Sequence, residues 1–490
     1  MREATRAQRQ IGEMDIADIR IDSRSRDDIP QLLRGLQHLY ADKGLRQEIF
    51  QILAKLTPEA ISTEQGRRGM EWWKILVMGS LRLNLNCDYD RLQELVNNHK
   101  TIWQMLGHGL LDDDRTYQLQ TLKDNVRLFT PEILDEINQV VVRAGHRLKK
   151  KDTLAARCDS FVVETDVHYP TDINLLLDAV RKVIALTADY VELVGIGGWR
   201  QSAFNQRQIK RAHRRVQQMK RSTSKDEAKN AQRQVAIVQA HRDYMALARG
   251  FIQRSEATLA MEVGAVSVVA IGKMLAIQTF IDHAHRQMDQ IERRVICGEK
   301  IPHEEKVFSV FQTHTEWLSK GKAGVPVELG LKVCIVEDTQ GYLLHHQVME
   351  KQTDDQIAID LIAQTQKKYP ALAMCSFDKG FHSPQNQIEL AKTLDRVVLP
   401  KKGRCTKEEQ AREDSEAFRD SRRTHSAVES GINALEGHGL DRCLDQGIDG
   451  FKRYVALAVV SRNIQKLGAE LQKRIQQQEQ RRRNSDKLAA

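Results

Sequence analysis

AARCDSFVVETDVHYPTD, residues 155–172, is the first part of the chain that reads as strand. Five residues between Ser160 and Thr165 are β-branched, aromatic or small, and Pro170 stops the run, which predicts a strand over about 156–165. Asp159 falls inside this apolar pattern, where a carboxylate has no ordinary structural use. Upstream, from Ile29 to about Lys150, apolar residues recur three and four apart in EIFQILAKL, EWWKILVMGSLRL and EILDEINQVVVRAGHRL. Thr130-Pro131-Glu132 reads as an N-cap followed by proline at the first helical position. Residues 1–27 are charged and poorly periodic and are expected to form a mobile arm.

Downstream, no proline intervenes between Pro170 and Pro302, and long amphipathic segments such as 226–258 and 268–296 predict a helical bundle. β character returns in KVFSVF (306–311) and in GLKVCIVEDTQGYLLHHQVME (330–350), where Asp338-Thr339-Gln340-Gly341 is a hairpin turn signal. A helix is expected at 353–368, a strand in ALAMCSFDKG, a helix near 385–393 and a short strand RVVLP (396–400). A basic loop (401–423), helices at 424–437 and 450–478, and a solvated tail complete the chain. The helical stretch thus interrupts a single mixed α/β unit. The expected domains are an arm at 1–27, a helical N-terminal domain at 28–150 whose function its own residues do not reveal, an α/β core at 151–190 and 300–460, a helical insertion at 191–299, and a C-terminal helix with a basic tail at 461–490.

Composition agrees with that outline. In 490 residues, 41% are apolar, enough for several cores, while aromatics at 5% and nine prolines point away from all-β architectures. Lys plus Arg number 75 against 66 Asp plus Glu, and a net charge of +9 predicts a polyanionic partner, nucleic acid first. Seven scattered cysteines with no C-x-x-C pair form neither a disulfide framework nor a zinc site. With no run of about 18 apolar residues and no apolar secretory segment near the N-terminus, the expectation is a soluble intracellular protein without membrane contact.

Two further acids sit in unusual places. Asp378 closes the apolar strand AMCSF and opens the turn FDKGFHS, and Glu429 lies on the helix THSAVESGINAL beside Val428, Ile432 and Leu435. Carboxylates converging from separate elements are what metal-dependent phosphoryl transfer uses: hard oxygens that hold paired divalent ions about 3.5–4 Å apart. Taken singly, each is more often a turn former, a helix cap or an exposed carboxylate. Lys379, beside Asp378, is a candidate phosphate contact, as are Lys320 and Lys322 in KGKAG. His345-His346 is no metal pair, because adjacent strand residues face opposite ways. From Arg200 to Arg221 there are eight basic residues and no acid. A charge run is most often a solvated helix face; in a nucleic-acid enzyme one unrelieved by acids, with Arg207, Lys210, Arg211, Arg214 and Arg215, would instead be a helix that tracks phosphates without reading bases. Sequence recognition is expected from a helix-turn-helix variant around residues 70–125.

DSFVVETDVHYPTD, FDKGFHS and SAVESGINALEGHGLDRC resemble the three signature blocks of DDE transposases from bacterial insertion sequences, and KGKAGVPVELGLKVCIVED is similar to their block around the second and third strands. The resemblance runs to FKRYVALAVVSRNIQKLG and so covers most of the chain. It implies an α/β RNase H-like catalytic core with a mixed sheet, interrupted by a large all-helical insertion and preceded by an all-α N-terminal domain. It also implies that Asp159, Asp378 and Glu429 bind two Mg2+ (or Mn2+) ions. Asp166, seven residues after Asp159, competes for the first position; Asp159 is favoured because it opens the apolar run. The basic residues that many relatives carry four before and seven after the glutamate are here His425 and Glu436, so Arg422 and Arg423, one turn earlier, are the candidates for that phosphate contact. The implied activity is cleavage at element ends and transfer of 3′-hydroxyls into target double-stranded DNA, by a homodimer in a synaptic complex at the bacterial nucleoid. A DNA-binding regulator derived from a transposase, and a nuclease that cuts without joining, are the alternatives.

Overall fold

The computed structural model describes residues 3, 5, 12–57, 69–109, 116–149, 153–221, 226–261, 267–319 and 326–489. The chain divides into two compact units, residues 1–166 with 318–490, and residues 167–317.

Among the described residues of the first unit, seven α-helices precede the first strand: α1 (Asp28–Ala41), α2 (Lys43–Ala54), α3 (Trp72–Asn84), α4 (Tyr89–Asn98), α5 (Lys100–Met105), α6 (Leu119–Val126) and α7 (Pro131–Leu148). Their starts follow local chemistry. Asp27, Asp42 and Asp88 each accept a backbone N–H from the first turn, and Thr130 caps α7 ahead of Pro131. All thirteen residues of α3 are buried, so α3 cannot be a helix that enters a DNA groove, and the expectation for 70–125 is corrected to that extent. Residues 12–27 also depart from the expected mobile arm. Ile16 and Ile19 are buried, and Gln37 of α1 donates to the carbonyls of both.

β1 (Leu154–Thr165) then runs through the middle of a mixed sheet. The remaining elements of this unit are β3 (Val327–Asp338), β4 (Leu343–Met349), α12 (Asp354–Lys368), β5 (Leu372–Phe377), α13 (Pro384–Thr393), β6 (Arg396–Val398), α14 (Lys407–Asp414), α15 (Glu416–His425), α16 (Ala427–Leu435), β7 (Arg442–Cys443) and α17 (Gly447–Ala489), while β2 (Glu316–Ser319) straddles the boundary between units. β4 pairs antiparallel with β3, and β3 antiparallel with β1; β5 and then β6 follow in parallel on the other side of β1. The hairpin turn forms where expected. Asp338 Oδ1 accepts the N–H of Gln340 and of Tyr342, and Gly341 adopts φ +85°. The basic segment 401–423 is not a loop but holds α14 and α15. Thr406 with Glu409 forms a capping box and Ser415 caps the second helix, a T-x-x-E mark present in the sequence.

α17 ties the sheet to the N-terminal helices. Asn463 Nδ2 donates to Leu343 O (2.9 Å) and Asn138 Oδ1 (2.7 Å), and its Oδ1 accepts the Leu343 N–H (3.0 Å), joining α17, α7 and β4 through one buried amide. Where α17 crosses α1, the backbones touch: a Cβ on Gly468 would stand 1.8 Å from Gln31 O, and one on Gly35 2.1 Å from Ile464 O. At the start of α17 the Arg82 guanidinium, 2% exposed, pairs with Asp445 at 2.9 Å and lies against the rings of Tyr89 and Tyr454 at 4.1 and 5.1 Å. Arg453 takes the second oxygen of Asp445 at 2.9 Å. The helix runs past residue 478 to Ala489, and its described side chains there mostly face solvent, as expected of a solvated tail.

The second unit is helical: α8 (Asp172–Val194), α9 (Ser202–Arg221), α10 (Glu227–Leu259) and α11 (Val268–Ile291). Thr171 caps α8, and Gly195 ends it in the left-handed region at φ +72°. Val180, Ile184, Tyr190, Tyr244, Ile252, Ile277 and Ile281 form its buried core. KVFSVF is not a strand. Phe308 packs on Trp317 instead, with ring centroids 5.7 Å apart. Among the described residues no helix is long and apolar enough to cross a membrane.

Candidate functional site

Side chains on β1 alternate, so Arg157 and Asp159 share one face and Cys158 and Ser160 the other. Cys158 is completely buried, which fixes the strand's register and leaves Asp159 half-buried on its own face. Asp159 Oδ1 accepts the N–H of Ser160 at 2.7 Å, which orients the carboxyl. On the parallel neighbour Phe377 pairs with Cys158, so Asp378 follows directly after the last rung of the ladder, as Asp159 follows Cys158. Asp378 is exposed where β5 gives way to the Lys379–Phe381 turn. Glu429 stands in the first turn of α16, exposed, on a helix that packs against β1. Gly431 allows that packing, since a Cβ there would come within 2.6 Å of Glu337 Oε1.

The acids sense one another. Burial pushes the Asp159 carboxyl up to about 6, and the negative charges of Asp378, Asp354 and Glu429 push in the same direction. Asp354, at the start of α12, is held by Ser160 Oγ (2.7 Å) and by Lys332 Nζ of β3 (2.9 Å). Asp159, Asp378, Asp354, Lys332 and Phe381 line a cleft of about 380 Å³. Its wall also includes Glu436, seven residues after Glu429 and therefore on the same helical stripe. Asp166 is elsewhere. It lies past the end of β1, exposed, with Arg442 Nη1 3.7 Å away, and of the two competitors only Asp159 faces the cleft.

Behind the cleft a buried set braces the same face. Arg157 Nη1 lies 3.4 Å from Glu337 Oε2, and burial raises Glu337 to about 7 despite that partner. His425 is buried with Nδ1 3.0 Å from Ser376 Oγ; burial holds its ring below the ordinary imidazole value, and the Asp378 charge only partly offsets this. Arg422, one turn earlier on α15, is half-buried, and its Nη1 is buried without a hydrogen-bond partner. Arg423 is exposed beside Asp420 at 3.4 Å. Lys379 is exposed on the turn after β5. Lys320 and Lys322 lie outside the described residues.

In the other unit, Arg207, Lys210, Arg211, Arg214 and Arg215 are all exposed on α9, three and four apart, while Asn205, Ile209, His213 and Val216 are buried on the opposite side. Among the described residues none of these five cations has an acidic partner.

Sequence reasoning missed Asp354, Lys332 and Glu436. An acid after Thr353 at a helix start is fully explained by capping, so Asp354 carries no separate mark. Lys332 does, being a charge inside the apolar strand GLKVCIV, as Asp159 is in its own. Comparisons of the chain with family models, curated proteins and solved structures return no match.

The Asp159 shift has a sign that can be checked. Its folded value, near 6, lies above its unfolded one, so the protein loses stability as pH rises from about 4 through 6. Asp159→Asn should then stabilise the protein by about 1–3 kcal/mol at pH 7.5 in EDTA and by little at pH 4. Urea unfolding at the two pH values measures this; an equal gain at both would show that the charge is not under strain.

Proposed function

We propose that the chain is a DDE-type DNA transposase with an RNase H-like core, which cleaves DNA at the ends of its element and joins the freed 3′-hydroxyls to target DNA. The observation that carries this is the electrostatic meeting of Asp159, Asp378 and Glu429, supplied by the central strand, the end of its parallel neighbour and a later helix. The strand arrangement supports it: three antiparallel strands (β4, β3, β1), then two parallel ones (β5, β6), with the acids at the seam.

The donor set fits divalent metal. It is all hard oxygen, and among the described residues lining the cleft the cation, Lys332, is engaged by Asp354, so nothing there offsets the burial, and the neighbouring acids, that disfavour the Asp159 carboxylate. Among the described residues no three such side chains already stand at the spacing of a bound ion; Asp378 and Glu429, both exposed, are free to turn inward. Paired Mg2+ ions, when bound, supply activation of the attacking hydroxyl and charge neutralisation at the leaving oxygen. The chain's own work is positioning. Asp159 is oriented by the Ser160 N–H, Asp378 and Glu429 complete the carboxylate set, and Arg422 and Lys379 hold the phosphate that approaches it. The buried Arg157–Glu337 pair and the Ser376–His425 contact keep β1, β5 and α15 in place.

The α9 stripe would carry DNA through its phosphates. Replacing Arg207, Lys210, Arg211, Arg214 and Arg215 by Gln should lower the slope of log affinity against log salt by up to about 4.5, at roughly 0.9 per lost phosphate contact, equally on any duplex. A slope that stays at the wild-type value would remove α9 from the interface.

The test of the function is incubation with DNA bearing the sequences that flank the reading frame, with Mg2+ and a target plasmid. Cut ends and joined products are expected. Cuts without joining indicate a nuclease, and binding without cuts in Mg2+ or Mn2+ indicates a regulator.

A further inference from the structure

The unit formed by residues 167–317 contains a cavity of about 280 Å³, separate from the carboxylate cleft in composition and chemistry. Three aromatic rings line it. Trp317 and Phe308 lie 5.7 Å apart at 37°, and Tyr169 meets Trp317 at 5.7 Å and 67°. These rings are not closed into a core: Tyr169 is 62% exposed, and Phe308 and Trp317 are half-buried. Two cations share the wall. Arg294 is anchored by Asp172, with Nη2 2.6 Å from Oδ2, and Lys306 is exposed with no ion-pair partner among the described residues.

Each feature alone has an ordinary use, but the combination is selective. A packing cluster would bury its rings and need no lysine, whereas a simple phosphate site would need no rings. Open aromatic faces beside a fixed guanidinium and a free ammonium match a flat heterocycle bonded to a phosphate. The volume sits at the small end of ligand pockets, roughly 300–1,000 Å³, which suits one nucleotide and excludes a duplex. We propose that this cavity takes a single nucleotide unit, its unstacked base against Tyr169, Trp317 and Phe308 and its phosphate on Arg294 and Lys306. The nucleotide comes either from an unpaired position of a DNA strand, which rests on the function proposed above, or from a free mononucleotide.

The test uses the full chain in EDTA, so that no catalysis is required, with a single-stranded oligonucleotide carrying one 2-aminopurine. Its fluorescence should change on binding. Trp317→Ala and Tyr169→Ala should each weaken binding by roughly 5- to 150-fold, the range for one lost stacked base, whereas Trp317→Phe should retain it. The Tyr169 variant removes an exposed ring and so serves should the Trp317 variant fail to fold. Lys306→Gln should lower the salt slope by about 0.7. With binding followed instead by the anisotropy of an end label, a strand made abasic throughout should bind variants and wild type alike. A parallel titration with dAMP separates the sources. Binding of dAMP without strand binding keeps the cavity assignment and removes the DNA reading. Variants that bind oligonucleotide and dAMP as wild type does, or wild-type protein that binds neither, overturn the assignment.

Discussion

Asp378→Asn should lower Mg2+-dependent strand cleavage and joining by at least ~10³-fold, a loss of about 4 kcal/mol of transition-state stabilisation, while DNA affinity at moderate salt stays within about twofold. Asp378 suits this test because it is exposed at the end of β5, and Asn matches its volume and tolerates the turn that follows. Its removal also takes one negative charge from around Asp159, whose carboxyl should then move down from about 6 towards the ordinary range. Asp166→Asn is the control. That side chain faces solvent beside Arg442, so turnover should remain within about twofold. Cleavage that survives Asp378→Asn would move the second acid away from the cleft described here, and cleavage that dies with Asp166→Asn would move the first.

Asp445→Ala should destabilise the protein by about 3–5 kcal/mol, the cost of leaving a buried charge without its partner. Two guanidiniums depend on Asp445. Arg82 is 2% exposed and flanked by Tyr89 and Tyr454, and its Nε and Nη1 have no hydrogen-bond partner, so water cannot take over the lost contact. Arg453, at 2.9 Å from the other oxygen, would be left facing Arg82 in the same space. Asp445→Asn keeps one acceptor and should cost less. Glu389→Ala removes an exposed i,i+3 pair with Lys392 and should change stability by no more than about 0.5 kcal/mol. Urea unfolding of the four proteins reads the series; equal values for Asp445→Ala and Glu389→Ala would mean that the Arg82 pocket is hydrated.

The strand-forming runs were legible because local and tertiary preferences agreed. Apolar alternation around Asp159, the Asp338–Gly341 turn and the strand ahead of Asp378 all appear close to their expected places. KVFSVF misled because Phe308 serves a ring cluster with Trp317 and Phe311 packs on Phe280 rather than in a ladder, and periodicity cannot separate the two uses. The 401–423 segment misled through its charge, although Thr406 and Glu409 announced a helix. Asp159, Asp378 and Glu429 stood out only as acids in apolar surroundings. Asp354 did not, because its own helix start accounts for it, and the Arg82–Asp445 contact joins residues whose sequence neighbourhoods carry no sign of each other.

The touching backbones at Gly35 and Gly468 impose an order on biogenesis. Residues near the first helix leave the ribosome several hundred positions before the segment that covers them. Until then Leu32, Leu36 and their neighbours have no finished partner, and the nascent chain must be kept from self-association by chaperones or by slow, late docking. A chain cut before residue 468 should accordingly accumulate as an aggregate or a protease substrate, even with every carboxylate of the cleft present.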